Sequence, residues 1–293
     1  MKVALEWFLN PDHLPLIIAK QKGFLEKRGI HDFEIIVPTE HYDGLDDLVK
    51  GNIEFATNEP LHLIEQYHED FLSLGTFFET KGGVMMKKEA FEKLKKGGKI
   101  KLVTPVSNDK TNTIGFEIIK RYAQKEGVLI EKNQVEFCAE DFYLIKHLKS
   151  GYDAAWLYFY NFEGIESTFE KHLDLIFMDT HTAGFANFCA LDLFTSKTFY
   201  KKNPQKVDAV VEAVKEAIAY IDENPKDAFN TYYNYAKEDK SELMDEILKA
   251  TAVCFKQDFE SVASREIPIL EFFNKIGVSD LSREKFETAF LKK

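Results

Sequence analysis

Short apolar runs alternate with helix-length segments twice along this chain, and that rhythm restricts the fold more than any other feature. In the first pass Lys2–Phe8, Phe33–Val37, Ile53–Thr57 and Leu72–Phe78 read as strands, separated by helices over Pro11–Lys22, Gly44–Lys50 and Pro60–His68. In the second, strands Lys99–Pro105, Gln134–Cys138, Tyr152–Phe159 and Leu173–Met178 enclose helices over Thr113–Lys125, Asp141–Lys149 and Phe162–His172. A strand, a short helical crossover and another strand pair in parallel, so the fold class is α/β, built from two blocks.

A helical tail follows. Asn203-Pro204 supplies an N-cap and a proline at the first helical position. Val207, Val210, Val211, Val214, Ala217, Ile218 and Ile221 then recur at spacings of three and four. Asn224-Pro225 opens another helix, and two more are expected near 241–255 and 281–290. Between the blocks Val84–Lys87 is an apolar strand, and Phe185–Ser196 is another before the tail. Two strands joining two α/β blocks suit a hinge. The expected lobes are 1–83 with 186–293, and 84–185, with a ligand cleft between them at the C-terminal ends of the strands.

Composition removes several function classes. The formal net charge of −11 argues against a nucleic-acid surface, which needs clustered Lys and Arg. The densest basic run, Lys87 to Lys101, is interleaved with Glu89 and Glu92 and reads as a solvated helix face. No apolar run approaches the roughly 18–20 residues that cross a bilayer, so no membrane insertion is expected. Cys138, Cys189 and Cys254 are odd in number and in no metal-like spacing. After Lys2 only three apolar residues precede Glu6, which is no secretory signal. The expected compartment is the cytoplasm; the alternative is a periplasmic or lipid-anchored protein whose signal peptide was trimmed.

The loops after the strands carry the candidate chemistry. They are Trp7-Phe8-Leu9-Asn10-Pro11-Asp12-His13, Asn58-Glu59-Pro60-Leu61-His62, Val106 through Thr113, and Phe159-Tyr160-Asn161-Phe162-Glu163. Aromatics, carboxylates, amides and histidines dominate, and cations are few. That mix suits a flat, nitrogen-rich heterocycle: aromatic faces stack, and a carboxylate accepts from an amino group and a protonated ring nitrogen. Only Ser107–Thr113, with Lys110 and a helix N-terminus, offers an anion a place. No Ser-His-Asp or His-x-x-x-His arrangement is present in a sensible context.

Leu5-Glu6-Trp7, Asn10-Pro11-Asp12-His13 and Ala19-Lys20-Gln21-Lys22-Gly23-Phe24 resemble the opening of the thiamine-pyrimidine (NMT1/THI5-like) family. Gly151-Tyr152-Asp153-Ala154-Ala155 is similar to its Gly-x-x-Asp-Ala run, and Phe159-Tyr160-Asn161-Phe162-Glu163 to its Tyr-Trp-Asn-Trp-Glu. Lys202-Asn203-Pro204-Gln205-Lys206-Val207 resembles its Lys-Asn-Pro-Glu-Lys-Val helix start. The resemblance implies a two-lobed type II periplasmic-binding-protein fold with two crossover strands and a C-terminal helical segment. It also implies an aminopyrimidine ligand, with or without a phosphate, and an importer permease as partner if the protein is exported.

The implied ligand-binding residues are Trp7, Asn10, His13, Asn58, His62, Thr111, Tyr160, Glu163 and Asn187. Each has a plainer reading: Trp7 as packing, His13 and His62 as satisfied structural histidines, Glu163 as a first-turn acid and Asn187 as a strand-end hydrogen bond. The family's synthases consume a histidine and hold pyridoxal phosphate on a lysine four residues earlier; here His62 is preceded at that distance by Asn58. Their Cys-rich run corresponds to Phe185-Ala186-Asn187-Phe188-Cys189, with one thiol left. An amide forms no Schiff base and one cysteine holds no iron, so no cofactor is expected and the chain reads as a binder. A diverged synthase and a binder of an unrelated small molecule are the alternatives.

Overall fold

Each block of alternating strands and helices becomes a sheet of five strands, and in both the fifth runs against the rest. The computed structural model describes residues 1–38, 44–259 and 263–291. The first block contains β1 (Lys2–Ala4), α1 (Leu14–Gln21), β2 (Glu34–Ile36), α2 (Leu45–Lys50), β3 (Phe55–Asn58), α3 (Pro60–Glu65) and β4 (Phe71–Glu79). The second contains β5 (Gly82–Lys87), α4 (Lys88–Lys95), β6 (Ile100–Thr104), α5 (Asp109–Lys125), β7 (Val135–Ala139), α6 (Leu144–Lys149), β8 (Ala154–Phe159), α7 (Ile165–Phe169) and β9 (Leu175–Asp179). Then come β10 (Ala190–Ser196), α8 (Lys197–Lys202), α9 (Pro204–Glu223), α10 (Pro225–Ala236), α11 (Glu242–Ala252), α12 (Ala263–Lys275) and α13 (Arg283–Glu287).

Unit 1 comprises Met1–Glu79, Ala190–Leu270 and Asp280–Lys293. Its sheet has the order β2-β1-β3-β10-β4. β1 pairs in parallel with β2 and β3, while β10 lies antiparallel between β3 and β4. β3 and β4 therefore point the same way, as a helical crossover requires. Helix α1 buries Leu14, Leu16, Ile17, Ile18 and Ala19 and packs on α9 and α10. From α9, Val207, Val210, Val214, Ala217, Ile218 and Ile221 are buried as one stripe. Each buried Val or Ile contributes about 1.5–3 kcal/mol, so this stripe anchors the tail to the unit.

Unit 2 comprises Thr80–Cys189 and Glu271–Ser279, with sheet order β7-β6-β8-β5-β9. β6 is parallel to β7 and β8, and β5 is antiparallel to β8 and β9. The segment Glu271–Ser279 joins it through aromatic contacts. The Phe272 ring lies 4.2 Å from that of Phe185 and 4.5 Å from the Arg121 guanidinium, and Phe273 meets Phe188 edge-on at 5.8 Å.

Several elements depart from the periodicity. β1 ends at Ala4 instead of Phe8, because Glu6 turns its carboxylate inward and the chain bends through Trp7 and Phe8. β10 begins at Ala190, not Phe185: the Asn187 side chain spans the approach, donating to the Thr80 carbonyl at 2.9 Å and accepting the Cys189 amide at 3.1 Å. α5 starts at Asp109 because Asn108 caps it, accepting the Thr111 amide at 2.9 Å. Helices α8 and α12 were not expected. α12 hides from an apolar pattern because it carries Pro268 and turns the charged Glu266 inward. Among the described residues no helix is long and apolar enough to cross a membrane.

Glu266 sits in a buried polar cluster of unit 1. Asp192 of β10 accepts from Ser73 Oγ at 2.9 Å and Thr76 Oγ1 at 2.6 Å. Arg265 lies 3.8 Å from Glu266 and 3.9 Å from Glu79, and Lys256 lies 3.3 Å from Glu79. Glu266 is 1% exposed, and among the described residues neither of its carboxylate oxygens has a hydrogen-bond partner. Burial, with the Asp192 charge added, pushes its pKa well above the ordinary 4.5. A carboxyl raised in the folded state favours folding at low pH. Its contribution is lost as pH climbs from the unfolded value through the folded one. Replacing Glu266 with Met should therefore raise stability at pH 7 by about 1–3 kcal/mol and flatten its fall with rising pH. Urea titrations from pH 5 to 8 test this; a destabilised variant with an unchanged pH slope refutes it.

Candidate functional site

The nine residues singled out from the sequence fall into two groups, one in each unit. In unit 1, Trp7, Asn10, His13, Asn58 and His62 follow β1 and β3. The run after β1 ties itself into a single 3-10 turn, Pro11–His13, capped by Asn10. The Asn10 side chain accepts the Asp12 amide at 2.8 Å and donates to the Phe8 carbonyl at 3.1 Å. The Asn10 amide in turn donates to His13 Nδ1 at 3.3 Å, which places the ring proton on Nε2. Nε2 meets Glu6 Oε1 at 3.0 Å, and Thr57 Oγ1 donates to Glu6 Oε2 at 2.5 Å.

This network buries an acid and makes it tolerable. Burial alone opposes ionisation of Glu6, but His13 and the Thr57 hydroxyl outweigh it and hold its pKa below the ordinary value. His13 is 0% exposed, with both ring nitrogens engaged inside the unit, so it braces the loop. Trp7, tilted against Phe8 at 6.4 Å, is half-buried and presents part of its ring.

After β3, Asn58 is fully buried and its side-chain oxygen accepts the Glu59 amide at 2.8 Å. Pro60 opens α3, which places His62 three residues from both Glu59 and Glu65. His62 Nε2 lies 3.5 Å from Glu59 and Nδ1 3.5 Å from Glu65. Burial lowers the pKa of this ring, yet the two carboxylates more than reverse that and carry it up to about 10. Glu59 is the weaker counter-charge, because burial keeps its own pKa above normal despite the imidazolium beside it.

In unit 2, Thr111, Tyr160, Glu163 and Asn187 have separate settings. Thr111 is fully buried in the first turn of α5, where its carbonyl accepts the Trp156 indole N–H at 3.1 Å. Asn187 bridges Thr80 and Cys189, as its plainer reading holds. Tyr160 does not continue the strand; it starts a single π-helical turn, Tyr160–Gly164, which is the Tyr-Asn-Phe-Glu-Gly sequence itself. Such turns are rare and recur at functional sites.

Tyr160 is 41% exposed, and its ring lies 5.4 Å from the Phe177 ring. Gly164 makes room for it, since a Cβ there would fall 2.8 Å from the ring carbons. On the same turn Glu163, 4% exposed, accepts the Phe159 amide on Oε2 at 3.1 Å, and its carbonyl accepts the Tyr158 hydroxyl at 2.6 Å. The chemistry available is a partly open aromatic face and a fixed carboxylate on one turn. Glu6, Thr57, Glu59, Glu65, Tyr158 and Phe177 were not singled out beforehand. Of these, Glu6, inside the quoted Leu5-Glu6-Trp7 opening, and Glu59, inside a strand-end run already marked, carried a local signal.

A histidine raised to about 10 stabilises the fold fully below its unfolded value and loses that contribution as pH rises through 10. Nitrogen NMR of His62 should show an imidazolium at pH 8, and Glu65→Gln should bring its titration down towards 6.5. A neutral ring at pH 8, or a titration unmoved in the variant, removes the carboxylate clamp.

With this geometry in place, known proteins can be set beside it. Over 242 residues, 80% of this chain and 73% of the relative, it is 24% identical to a putative thiamine biosynthesis protein of Haemophilus influenzae. Over 287 residues, 94% of this chain and 82% of the relative, it is 21% identical to the 4-amino-5-hydroxymethyl-2-methylpyrimidine phosphate synthase of Aspergillus parasiticus. Among solved structures, the alkanesulfonate-binding protein SsuA from Xanthomonas axonopodis pv. citri matches 100% of this chain and 98% of its own, with a TM-score of 0.70 at 11% identity. That likeness carries the fold, two-lobed α/β of the periplasmic-binding-protein type, and leaves the ligand open. The family model described as NMT1/THI5 like matches residues 10–228, most of the chain. The chain belongs to the NMT1/THI5-like family.

Proposed function

We propose that this protein binds a thiamine-precursor aminopyrimidine and does not make one. The observation that carries the reading is the π-helical turn, which puts the half-exposed Tyr160 ring and the fixed Glu163 carboxylate on one short segment. An aminopyrimidine offers a flat π-face to the ring and an amino–imine edge to the carboxylate. Within unit 1, Trp7 is half-buried on a loop that Asn10 and His13 hold. Binding of this kind needs no group that changes protonation; a difference in contact between free and bound conformations is enough.

The family's synthase chemistry finds poor supports in these residues. Asn58 stands where an amine would carry pyridoxal phosphate, and its side-chain oxygen is engaged by the Glu59 amide. Cys189 is buried, and a Cβ on Gly82 would come within 2.2 Å of its sulfur, which leaves a large cluster little room. Neither pyridoxal phosphate nor iron fits these residues. In the cytoplasm such a protein would act as a carrier; exported, it would hand its ligand to an importer permease.

Calorimetry with 4-amino-5-hydroxymethyl-2-methylpyrimidine tests the proposal. Glu163→Gln should weaken binding by about 2–5 kcal/mol, the scale for truncating a buried charged partner. Saturable binding by the parent chain with unaltered affinity in the variant would remove Glu163 from the site. Incubation with pyridoxal phosphate and iron should leave the mass of the peptide containing His62 unchanged. Loss of the imidazole would reinstate the synthase.

A further inference from the structure

Strand β8 has one residue more than β5 has partners for. Trp156 pairs with Val84 and Tyr158 with Gly83, so Leu157 stands unpaired between them as a β-bulge. Its φ of 65° is left-handed, a conformation that a bulky residue holds only where its surroundings impose it. Those surroundings are tight. Leu157 is 7% exposed, and opposite the bulge Gly83 has φ 154°, where a Cβ would sit 2.2 Å from the Met178 carbonyl oxygen.

The extra residue decides which way the following side chains point. Along an unbroken strand alternate residues share a face, so Tyr158 would lie with Ala154 and Trp156. It lies instead in the apolar cluster of Ala155, Met85, Val103, Leu144 and Leu148. From there its hydroxyl reaches the Glu163 carbonyl at 2.6 Å, while the next amide, Phe159, reaches Glu163 Oε2 at 3.1 Å. Two hydrogen bonds to Glu163 thus come from the two residues directly after the bulge.

We propose that the Leu157 bulge is the positioning device of the ligand site: it turns Tyr158 and Phe159 so that they clamp Glu163 from its carbonyl and its carboxylate. The proposal rests on Glu163 being the ligand-facing acid, and its test separates the two. Leu157→Gly keeps the left-handed bulge and removes its steric cost. Leu157→Val adds a β-branch that opposes positive φ and favours regular pairing.

Amide hydrogen exchange of Phe159, followed by NMR, reads the clamp without any ligand. The glycine variant should melt lower than the parent, because it gives up a leucine side chain that is 7% exposed. It should also keep the Phe159 protection of the parent and bind 4-amino-5-hydroxymethyl-2-methylpyrimidine within about twofold of it. In the valine variant Phe159 should exchange at least about tenfold faster while the first half of β8 stays protected, with binding weakened by a similar factor. Parental Phe159 exchange in the valine variant, or lost protection in the glycine variant, overturns the proposal; should the valine variant not fold, the glycine variant decides alone. A parent chain that does not bind the pyrimidine sinks the functional reading and leaves the exchange comparison intact.

Discussion

The reversed strand inside each sheet is the interaction on which the rest of the molecule depends. β10 fills the gap between β3 and β4, and β5 fills the gap between β8 and β9. Until Ala190–Ser196 arrives, β3 and β4 have no common partner, so the first block cannot close its sheet by local pairing. Such closure brings together segments far apart in sequence and is the slow, entropically costly part of building this kind of fold. It also explains why every residue of β10 is buried: the strand is an interior member of its sheet. Its register sets Asp192 opposite Asn58, at the very end of β3, where the site loops begin.

The charges around those loops follow one rule with one exception. A buried ionisable group is tolerated when its partners replace the water it has lost. Glu6 is answered by His13 and Thr57, His62 by Glu59 and Glu65, and Asp192 by Ser73 and Thr76. Among the described residues Glu266 has only Arg265 at 3.8 Å as a counter-charge, and it sits beside another acid. The satisfied networks hold loops in place; the unsatisfied carboxyl makes stability sensitive to pH. These are two different uses of burial within one unit.

The candidate site of unit 2 rests on geometry more than on electrostatics. A strained strand residue, a π-helical turn and a glycine under an aromatic ring occur within eight residues, Leu157 to Gly164. Each departs from ideal backbone, and together they leave one ring partly open and one carboxylate fixed. Rigid placement of a small number of polar groups beside an apolar face is what a small heterocycle requires.

The sequence by itself determined the α/β class, the parallel pairing within each block, the long α9 helix and the family, because hydrophobic period and cap residues act locally. It also marked the loops at the strand ends as candidates, since strand ends in such sheets are where ligands go. It could not order the sheets, because the partner of β3 lies more than a hundred residues away and no local pattern names it. It missed α12, where a buried carboxyl breaks the apolar stripe. The Leu157 bulge went unread, because a bulge shows only when both strands of a pair are in view. For the same reason the sequence did not show that His13, Asn58 and Thr111 are fully buried and bonded within the chain, which tertiary packing decided. Local physics settled which elements form, and long-range pairing settled which side chains face outward.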